Sequence, residues 1–363
     1  MKLSYRMTSQ LWNVTAIYSV IVLIVVVLTN SSVISAFAEK PLPQLPQRLS
    51  ANEELAMLIQ NQPAAEPADE TWSSRLYAPT QVTKVGDKWF IVDCWQHRVI
   101  WSTSLTQPID KWQVVDDNLI EPHSLAYGAG YYAVEDTGRG KANFYRFDES
   151  NQRFVLSQSL QLGGRPHRTV FDPTTNSFLV LSSLSQTLHR VSVGVQGPVL
   201  AASSSLGFLA GAYTRSFTLL DEKRLLFISE GGFVSLAARQ GDDYQLQQYY
   251  QLPPAFLSGN DIFYTGRNFV VTATGKPGAL GVAGSLQDLP QLKNIGAEWG
   301  YANSRPYYVS RYGEYLIIPR IGAANSVDVF RFDNQGRLQR LTVMHSFAAP
   351  SASTLRRSTQ TAI

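Results

Sequence analysis

Residues 78–101 read APTQVTKVGDKWFIVDCWQHRVIW, and this stretch contains the unit from which most of the chain is built. A Pro-containing entry leads into a short apolar segment, a Gly86-Asp87 turn and the run Trp89-Phe90-Ile91-Val92. A third apolar segment, Arg98-Val99-Ile100-Trp101, follows after five residues. Short β-branched and aromatic runs separated by turn residues predict antiparallel strands.

The unit recurs six times along the chain. Its entries are Ala78-Pro79-Thr80-Gln81, Glu121-Pro122-His123-Ser124, Arg165-Pro166-His167-Arg168, Tyr213-Thr214-Arg215-Ser216, Gly259-Asn260-Asp261-Ile262 and Arg305-Pro306-Tyr307-Tyr308. The second residues of successive entries are separated by 43, 44, 48, 46 and 46 residues. A fourth, more polar segment ends several units. This period predicts an all-β fold, a six-bladed β-propeller with four-stranded blades over residues 78–348.

The chain ends differ from the repeat in composition. Residues 1–38 contain two basic residues, no acid and an apolar run from Val14 to Leu28, which predicts an export signal. Cleavage after Ala38 and retention as a membrane anchor both fit this segment. Residues 39–77 predict a Pro/Gln/Ala-rich spacer with a short helix at 52–60, and residues 349–363 a flexible tail. We therefore expect an extracytoplasmic protein, periplasmic, secreted or anchored facing outward.

Charge and cysteine content exclude some classes of protein. Without Lys2 and Arg6, 29 basic and 28 acidic residues remain, a net charge of +1. This balance argues against nucleic acid as a partner. Cys94 is the sole cysteine, so no intramolecular disulfide forms, and its strand-rich context favours a buried structural thiol.

The first two units resemble NHL-type repeats. The resemblance is carried by Pro79-Thr80 through Val92-Asp93 to His97-Arg98-Val99-Ile100, and by Pro122-His123-Ser124-Leu125 through Val134-Glu135-Asp136. Later units replace the Asp that follows the second strand with Ser182, Ser229 or Pro319. The resemblance implies a propeller fold and leaves the activity open. Asp93 and Asp136, placed before turns, are expected to bind backbone amides.

The six entries predict a ring at one mouth of the axial channel, because the first strand of each blade runs beside the axis. Its candidate ligand-binding residues are Glu121, Arg165, Tyr213, Arg215, Asn260, Asp261, Arg305 and Tyr307, and its candidate catalytic residues are His123 and His167. Arginine forks suit carboxylate, sulfate or sugar-acid groups, and histidine transfers protons near neutral pH. Alternatively, these polar side chains only satisfy backbone groups and ordered water in the channel.

A zinc or calcium site is a further hypothesis, with His123, His167 and Asp261 as candidate ligands. NHL-type propellers that resemble this chain include peptidyl-amidoglycolate lyases, which hold zinc through histidines of Pro-His entries. Only two entries here carry His, and they are adjacent. Calcium-dependent lactonase propellers imply a looser analogy, with Asn260, Asp261 and Glu121 as counterparts. No cofactor is therefore assigned firmly.

Three functions remain open from the sequence. The first is a non-catalytic propeller that binds an anionic small molecule, a glycan or a protein at the axial mouth. The second is a metal-assisted hydrolase or lyase that uses His123 or His167 as general base at the same mouth. The third is an extracytoplasmic assembly scaffold. A membrane partner is expected only if the N-terminal segment is uncleaved.

Overall fold

In the computed structural model, residues 74–322 and 324–348 are described, and they form six antiparallel sheets. Each sheet is built from one contiguous stretch of chain, and we number the sheets as blades 1 to 6. The predicted six-bladed β-propeller is confirmed. The predicted signal or anchor (1–38), the short helix and the tail lie outside the described residues. Among the described helices, none is long and apolar enough to cross a membrane.

The strands are numbered in chain order. Blade 1 contains β1 Pro79–Val85, β2 Lys88–Asp93, β3 Arg98–Ser102 and β4 Gln113–Asp116; blade 2 contains β5 Leu125–Gly128, β6 Tyr131–Asp136, β7 Lys141–Asp148 and β8 Arg153–Gln161; blade 3 contains β9 Pro166–Asp172, β10 Ser177–Ser182, β11 Thr187–Gly194 and β12 Gly197–Ser205. Blade 4 contains β13 Thr214–Leu219, β14 Arg224–Ser229, β15 Phe233–Gln240 and β16 Asp243–Gln251; blade 5 contains β17 Gly259–Tyr264, β18 Phe269–Ala273 and β19 Ala279–Ala283; blade 6 contains β20 Ser304–Pro306, β21 Ser310–Tyr312, β22 Tyr315–Gly322, β23 Ala324–Phe332 and β24 Leu338–Ala348.

The helical segments are all short 3₁₀ turns between strands. They are Cys94–Gln96, Ile109–Lys111, Thr137–Arg139, Gly207–Leu209, Pro254–Phe256, Leu286–Gln291, Gly296–Trp299 and Tyr301–Asn303. Two of them, Cys94–Gln96 and Thr137–Arg139, directly follow the second strand of their blade.

The hydrophobic core is divided into clusters that lie between neighbouring blades. Strand β2 shows the reason, because alternate side chains of a strand point to opposite faces of the sheet. Trp89 and Ile91 pack with residues of blade 6, whereas Phe90 and Val92 pack with residues of blade 2. Corresponding clusters lie at each of the other blade interfaces. The second strand of each blade is therefore buried on both faces.

The ring closes by packing of blade 6 against blade 1. The backbone N–H of Tyr308 donates to the carbonyl of Thr80 at 3.1 Å, and Asn325 Nδ2 donates to the carbonyl of Leu76 at 3.3 Å. The outer strand of blade 6 is β24, from the same stretch of chain as its other strands. Among the described residues, closure thus involves no exchange of a strand between the first and last blades.

Blade 5 differs from the expected four strands. After β19 the chain forms 3₁₀ turns, and Leu289 and Leu292 pack into the core between blades 4 and 5. Pro290 lies within this stretch and has no N–H to donate to a strand partner. Side-chain packing thus covers this blade where the others carry a fourth strand.

Asp93 and Asp136 bind backbone amides, as predicted. Asp93 accepts from the N–H groups of Tyr77 and Ala78 at 3.0 and 2.8 Å and pairs with Arg98 at 3.1 Å. Asp136 accepts from the N–H of Ile120 at 2.9 Å. Both carboxylates hold the chain that enters the blade against the end of its second strand. Tyr77 is fully buried, so the packed domain begins before residue 78.

Replacing Asp93 with Ala is expected to lower the free energy of unfolding by about 3–5 kcal/mol, because the buried Arg98 loses its carboxylate and two amides lose their acceptor. Chemical denaturation of the purified protein measures this. Asp242→Ala is the control, since it removes an Arg–Asp pair whose carboxylate is 64% exposed and should cost under about 1 kcal/mol. Equal losses in the two variants would contradict the structural role of Asp93.

Candidate functional site

A cavity of about 530 Å³ opens at the axial mouth where the blade entries meet. Its lining includes most of the predicted ring, namely Thr80, Glu121, His123, Arg165, His167, Tyr213, Arg215, Arg305 and Tyr307. Cavities of 300–1,000 Å³ are the usual size for small-molecule sites. The structure thus brings together residues from blades 1, 2, 3, 4 and 6 that are far apart in sequence.

Charged groups of both signs surround the cavity. Arg165 Nη2 lies 2.8 Å from Glu121 Oε2, and Arg215 Nη2 lies 3.1 Å from Glu230 Oε1. Arg305, which is half-buried, has no ion pair among the described residues. Three guanidinium groups therefore face two carboxylates, and the lining carries a positive excess.

Glu121 and Arg165 also share an unusual backbone. Each directly precedes the proline of its entry, and their φ angles are 52° and 59°. Non-glycine residues rarely occupy this left-handed region, and such strain concentrates at functional sites. The strained backbone places two oppositely charged side chains in contact across neighbouring blades.

His123 is a neutral imidazole within the lining. Thr137 Oγ1 donates to the carbonyl of Pro166 at 2.6 Å, so it accepts from His123 Nδ1–H at 3.1 Å. This assigns an unprotonated Nε2, which faces Cys94 Sγ at 3.7 Å. Burial, then Arg215 and Arg165, lower the pKa of His123 to about 3, and burial raises the pKa of the Cys94 thiol. The pair is thiol and imidazole, not an activated thiolate.

His167 is a buried residue of the lining, and its Nδ1 is engaged in hydrogen bonds. Its Nδ1 lies 3.1 Å from the carbonyl of Arg215 and 2.5 Å from Tyr308 Oη, whose own proton goes to a backbone carbonyl. Nδ1 is therefore the protonated nitrogen, and Nε2 has no hydrogen-bond partner among the described residues. Burial, and then the charges of His123 and the nearby arginines, lower the pKa of His167 well below 6.5. It is a neutral acceptor at physiological pH.

Asn260 and Asp261 do not line the cavity. Asp261 is buried and accepts from Ser216 Oγ at 2.5 Å and from the N–H of Val309 at 2.8 Å, so it ties blades 4, 5 and 6 together. Burial raises the pKa of its carboxyl group. The side-chain oxygen and nitrogen of Asn260 have no hydrogen-bond partner in the described chain.

The aligned entries differ by one residue in blade 5. The pairing between first and second strands shifts after Pro79, Pro166, Thr214 and Gly259, and the bulged residues are Thr80, His167, Arg215 and Asn260. Asn260, rather than Asp261, is thus the blade 5 counterpart of Thr80. Such a bulge is a backbone feature with no marker in the apolar pattern.

Sequence reasoning missed the lining residues at the ends of second strands. These are Cys94, Trp95, Glu230, Thr274 and Ile321. A signal for them existed: first and second strands are antiparallel neighbours, so the end of the second strand lies beside the start of the first. The mouth is thus built from two sets of residues per blade, and only the entries were predicted.

The arrangement offers little to a metal ion. The rings of His123 and His167 stack with centroids 3.8 Å apart, and both Nδ1 atoms are engaged in hydrogen bonds. Asp261 uses both carboxylate oxygens elsewhere. Within residues 74–322 and 324–348, no group of three or more His, Cys, Asp or Glu side chains could hold a metal. A zinc or calcium site on these three residues therefore has no geometric support.

Acidification is expected to destabilise the fold through His123. The unfolded chain binds the proton near pH 6.5, whereas the folded chain resists it until about pH 3. The free energy of unfolding is therefore highest, as far as His123 is concerned, above pH 6.5, and it falls by about 1.4 kcal/mol per pH unit below that value. Denaturation between pH 7.5 and 4.5 should show a correspondingly weaker decline for His123→Gln. Parallel declines in both proteins would contradict a neutral buried His123.

Comparisons with known proteins identify the fold and no family. No family model and no curated protein matches the chain. Similar solved structures include a putative 6-phosphogluconolactonase from Bacteroides uniformis, with 13% identity, TM-score 0.54 and coverage of 79% of this chain and 88% of that one. The periplasmic gluconolactonase of Pseudomonas aeruginosa has 14% identity and a TM-score of 0.52, and the match covers 75% of this chain and 86% of that one. Kuenenia stuttgartiensis hydrazine synthase has 14% identity and a TM-score of 0.50, and the match covers 75% of this chain and 81% of that one. At these identities the likeness shows a β-propeller and leaves the function open.

Proposed function

We propose that this protein is an exported or membrane-tethered β-propeller that binds a small polyhydroxylated carboxylate, such as a sugar acid, in the axial cavity. The observation that carries the proposal is the set of three arginine side chains around one concave site. Arg305 is the clearest of them, because it has no carboxylate partner among the described residues. A guanidinium fork binds a carboxylate through two parallel hydrogen bonds.

The remaining lining favours a ligand with hydroxyl groups over a bare inorganic anion. Glu121 and Glu230 are acceptors for hydroxyl protons, and the neutral Nε2 of His167 is a third acceptor. Tyr213 and Tyr307 add flat surfaces beside these groups. A sugar acid offers donors to the acceptors and a carboxylate to the arginines, so it matches both parts of the lining.

Export is the part of the proposal that depends on the sequence alone. The apolar run from Val14 to Leu28 with its basic flank supports it. The NHL-type resemblance of the first two units likewise remains a prediction within the propeller fold.

Replacing Arg305 with Gln is expected to weaken binding of D-glucuronate about tenfold to a hundredfold, because one charge-assisted contact worth about 1.5–3 kcal/mol is lost. Isothermal titration calorimetry on the wild-type protein and the variant measures this. Raising the salt concentration should also weaken wild-type binding, since part of the attraction is between partly exposed charges.

Arg337→Gln is the matched control for this experiment. Arg337 is a 69% exposed arginine paired with Asp333 between β23 and β24, and it does not line the cavity. Its replacement should leave D-glucuronate binding unchanged. Equal affinities of Arg305→Gln and wild type, or no binding of D-glucuronate by the wild type, would overturn the proposal.

A second candidate is hydrolysis of a sugar ester or lactone at the same site. It is favoured by the open Nε2 of His167, since a general base needs an unprotonated nitrogen within reach of an attacking water. The arginines would stabilise the negative charge that develops on the carbonyl oxygen. No metal takes part in this version of the reaction.

If His167 is the base, the protein hydrolyses D-glucono-1,5-lactone faster than the uncatalysed reaction, and His167→Gln abolishes the difference. This probe is chosen because a gluconolactonase is among the similar structures. The lowered pKa keeps Nε2 unprotonated below pH 6.5, so the rate should hold between pH 7 and pH 6. Hydrolysis monitored by a pH-stat tests this, and a decline with an apparent pKa of 6.5 would exclude His167 as the base.

A further inference from the structure

A second cavity of about 370 Å³ adjoins the axial cavity. The two cavities share the lining residues Trp95, Arg305 and Ile321. The rest of the second cavity comes from residues 275–276, after β18, and from residues 302–304 and Gly322. A ligand held by Arg305 in the first cavity therefore has a continuous path into the second.

Trp95 forms a flat apolar wall of both cavities. It is 44% exposed, whereas Trp89, Trp101 and Trp112 are at most 6% exposed. Its neighbour Cys94 is 3% exposed and packs with Tyr307, Tyr308 and Ile321, so the turn that carries the indole is anchored in the core. A rigid exposed indole is a stacking surface with a low entropy cost on binding.

The charges of the second cavity are also positive. Arg305 lines both cavities, and the exposed Lys276 lines only the second, together with the polar residues Asn303 and Ser304. None of the described Asp or Glu residues lines this cavity. Successive cations along two connected cavities suit a ligand whose negative charges repeat along its length. A nucleotide, by contrast, concentrates its charge at one end.

We propose that the second cavity is a subsite for the next residue of an acidic oligosaccharide, and that the ring of this residue stacks on Trp95 while its carboxylate approaches Lys276. The first residue of the same chain occupies the axial cavity, so this inference depends on the proposed function. It extends the ligand from a single sugar acid to a chain of uronic acid residues. Trp95 and Lys276 then determine the preference for length.

Calorimetry of the full chain with D-galacturonate, digalacturonate and a nucleoside monophosphate tests the subsite. We expect digalacturonate to bind about tenfold or more tightly than the monosaccharide, because stacking and one further ionic contact together contribute about 1.4 kcal/mol or more. Lys276→Gln should remove part of this gain and leave the affinity for D-galacturonate unchanged, because Lys276 lines only the second cavity. Trp95→Ala should remove the gain and weaken D-galacturonate binding to a smaller extent, because Trp95 lines both cavities.

Tyr127→Ala is the matched control, since Tyr127 is equally exposed, at 44%, and lies outside both cavities. Its affinity for both saccharides should equal that of the wild type. If D-galacturonate binds and digalacturonate binds no better, the subsite is wrong while the proposed function stands. If neither binds, both proposals fail. The subsite would also be overturned if Trp95→Ala lowered the affinities for both saccharides by the same factor, or if the nucleotide bound more tightly than digalacturonate.

Discussion

The inner strand of every blade has one edge without a partner strand, and its polar backbone groups meet at the axis. Side-chain hydroxyls from neighbouring blades satisfy them. Thr80 Oγ1 donates to the carbonyl of His123 at 2.8 Å, Thr137 Oγ1 to that of Pro166 at 2.6 Å, and Thr272 Oγ1 to that of Tyr307 at 3.0 Å. Tyr308 reaches across from blade 6 to the carbonyl of Arg215 at 3.0 Å. These bonds link the blades at the axis and close its centre.

The same bonds determine the chemistry of the mouth. Because Thr137 and Tyr308 give their protons to carbonyls, each accepts from the Nδ1 of a histidine, and both imidazoles are left with an unprotonated Nε2. In His123 that nitrogen faces the Cys94 thiol, whereas in His167 it has no hydrogen-bond partner among the described residues. Within the described part of the chain, the guanidinium groups of Arg165, Arg215 and Arg305 donate none of the hydrogen bonds to the entry carbonyls. Hydrogen bonding to the backbone carbonyls of the channel is therefore not the role of these three arginines.

The sequence predicted the blades because burial on both faces gives each second strand a continuous apolar run, and the run repeats with a steady period. It predicted the mouth for blades 2, 3 and 4 because Glu121, His123, Arg165, His167 and Arg215 lie where the period places them. It misplaced Asp261 because the blade 5 entry has no proline to mark its start, and Asn260, not Asp261, holds the bulged position of Thr80, His167 and Arg215. In blade 6 the inner strand is split into β20 and β21, and Tyr308, at the split, takes the axial position.

The strained entries at the mouth cost the fold more than their ion pair returns. Glu121 and Arg165 each hold a left-handed backbone before a proline, which costs about 1–3 kcal/mol per residue. Their mutual ion pair is about 40% exposed on each side chain, so it returns at most about 1 kcal/mol. Folding alone would favour glycine at both positions, since glycine adopts this conformation without strain. Seven other described non-glycine residues hold the same left-handed backbone, so the strain itself is a common feature of the turns of this fold. What distinguishes Glu121 and Arg165 is that their strained backbone carries an ion pair between two blades at the cavity.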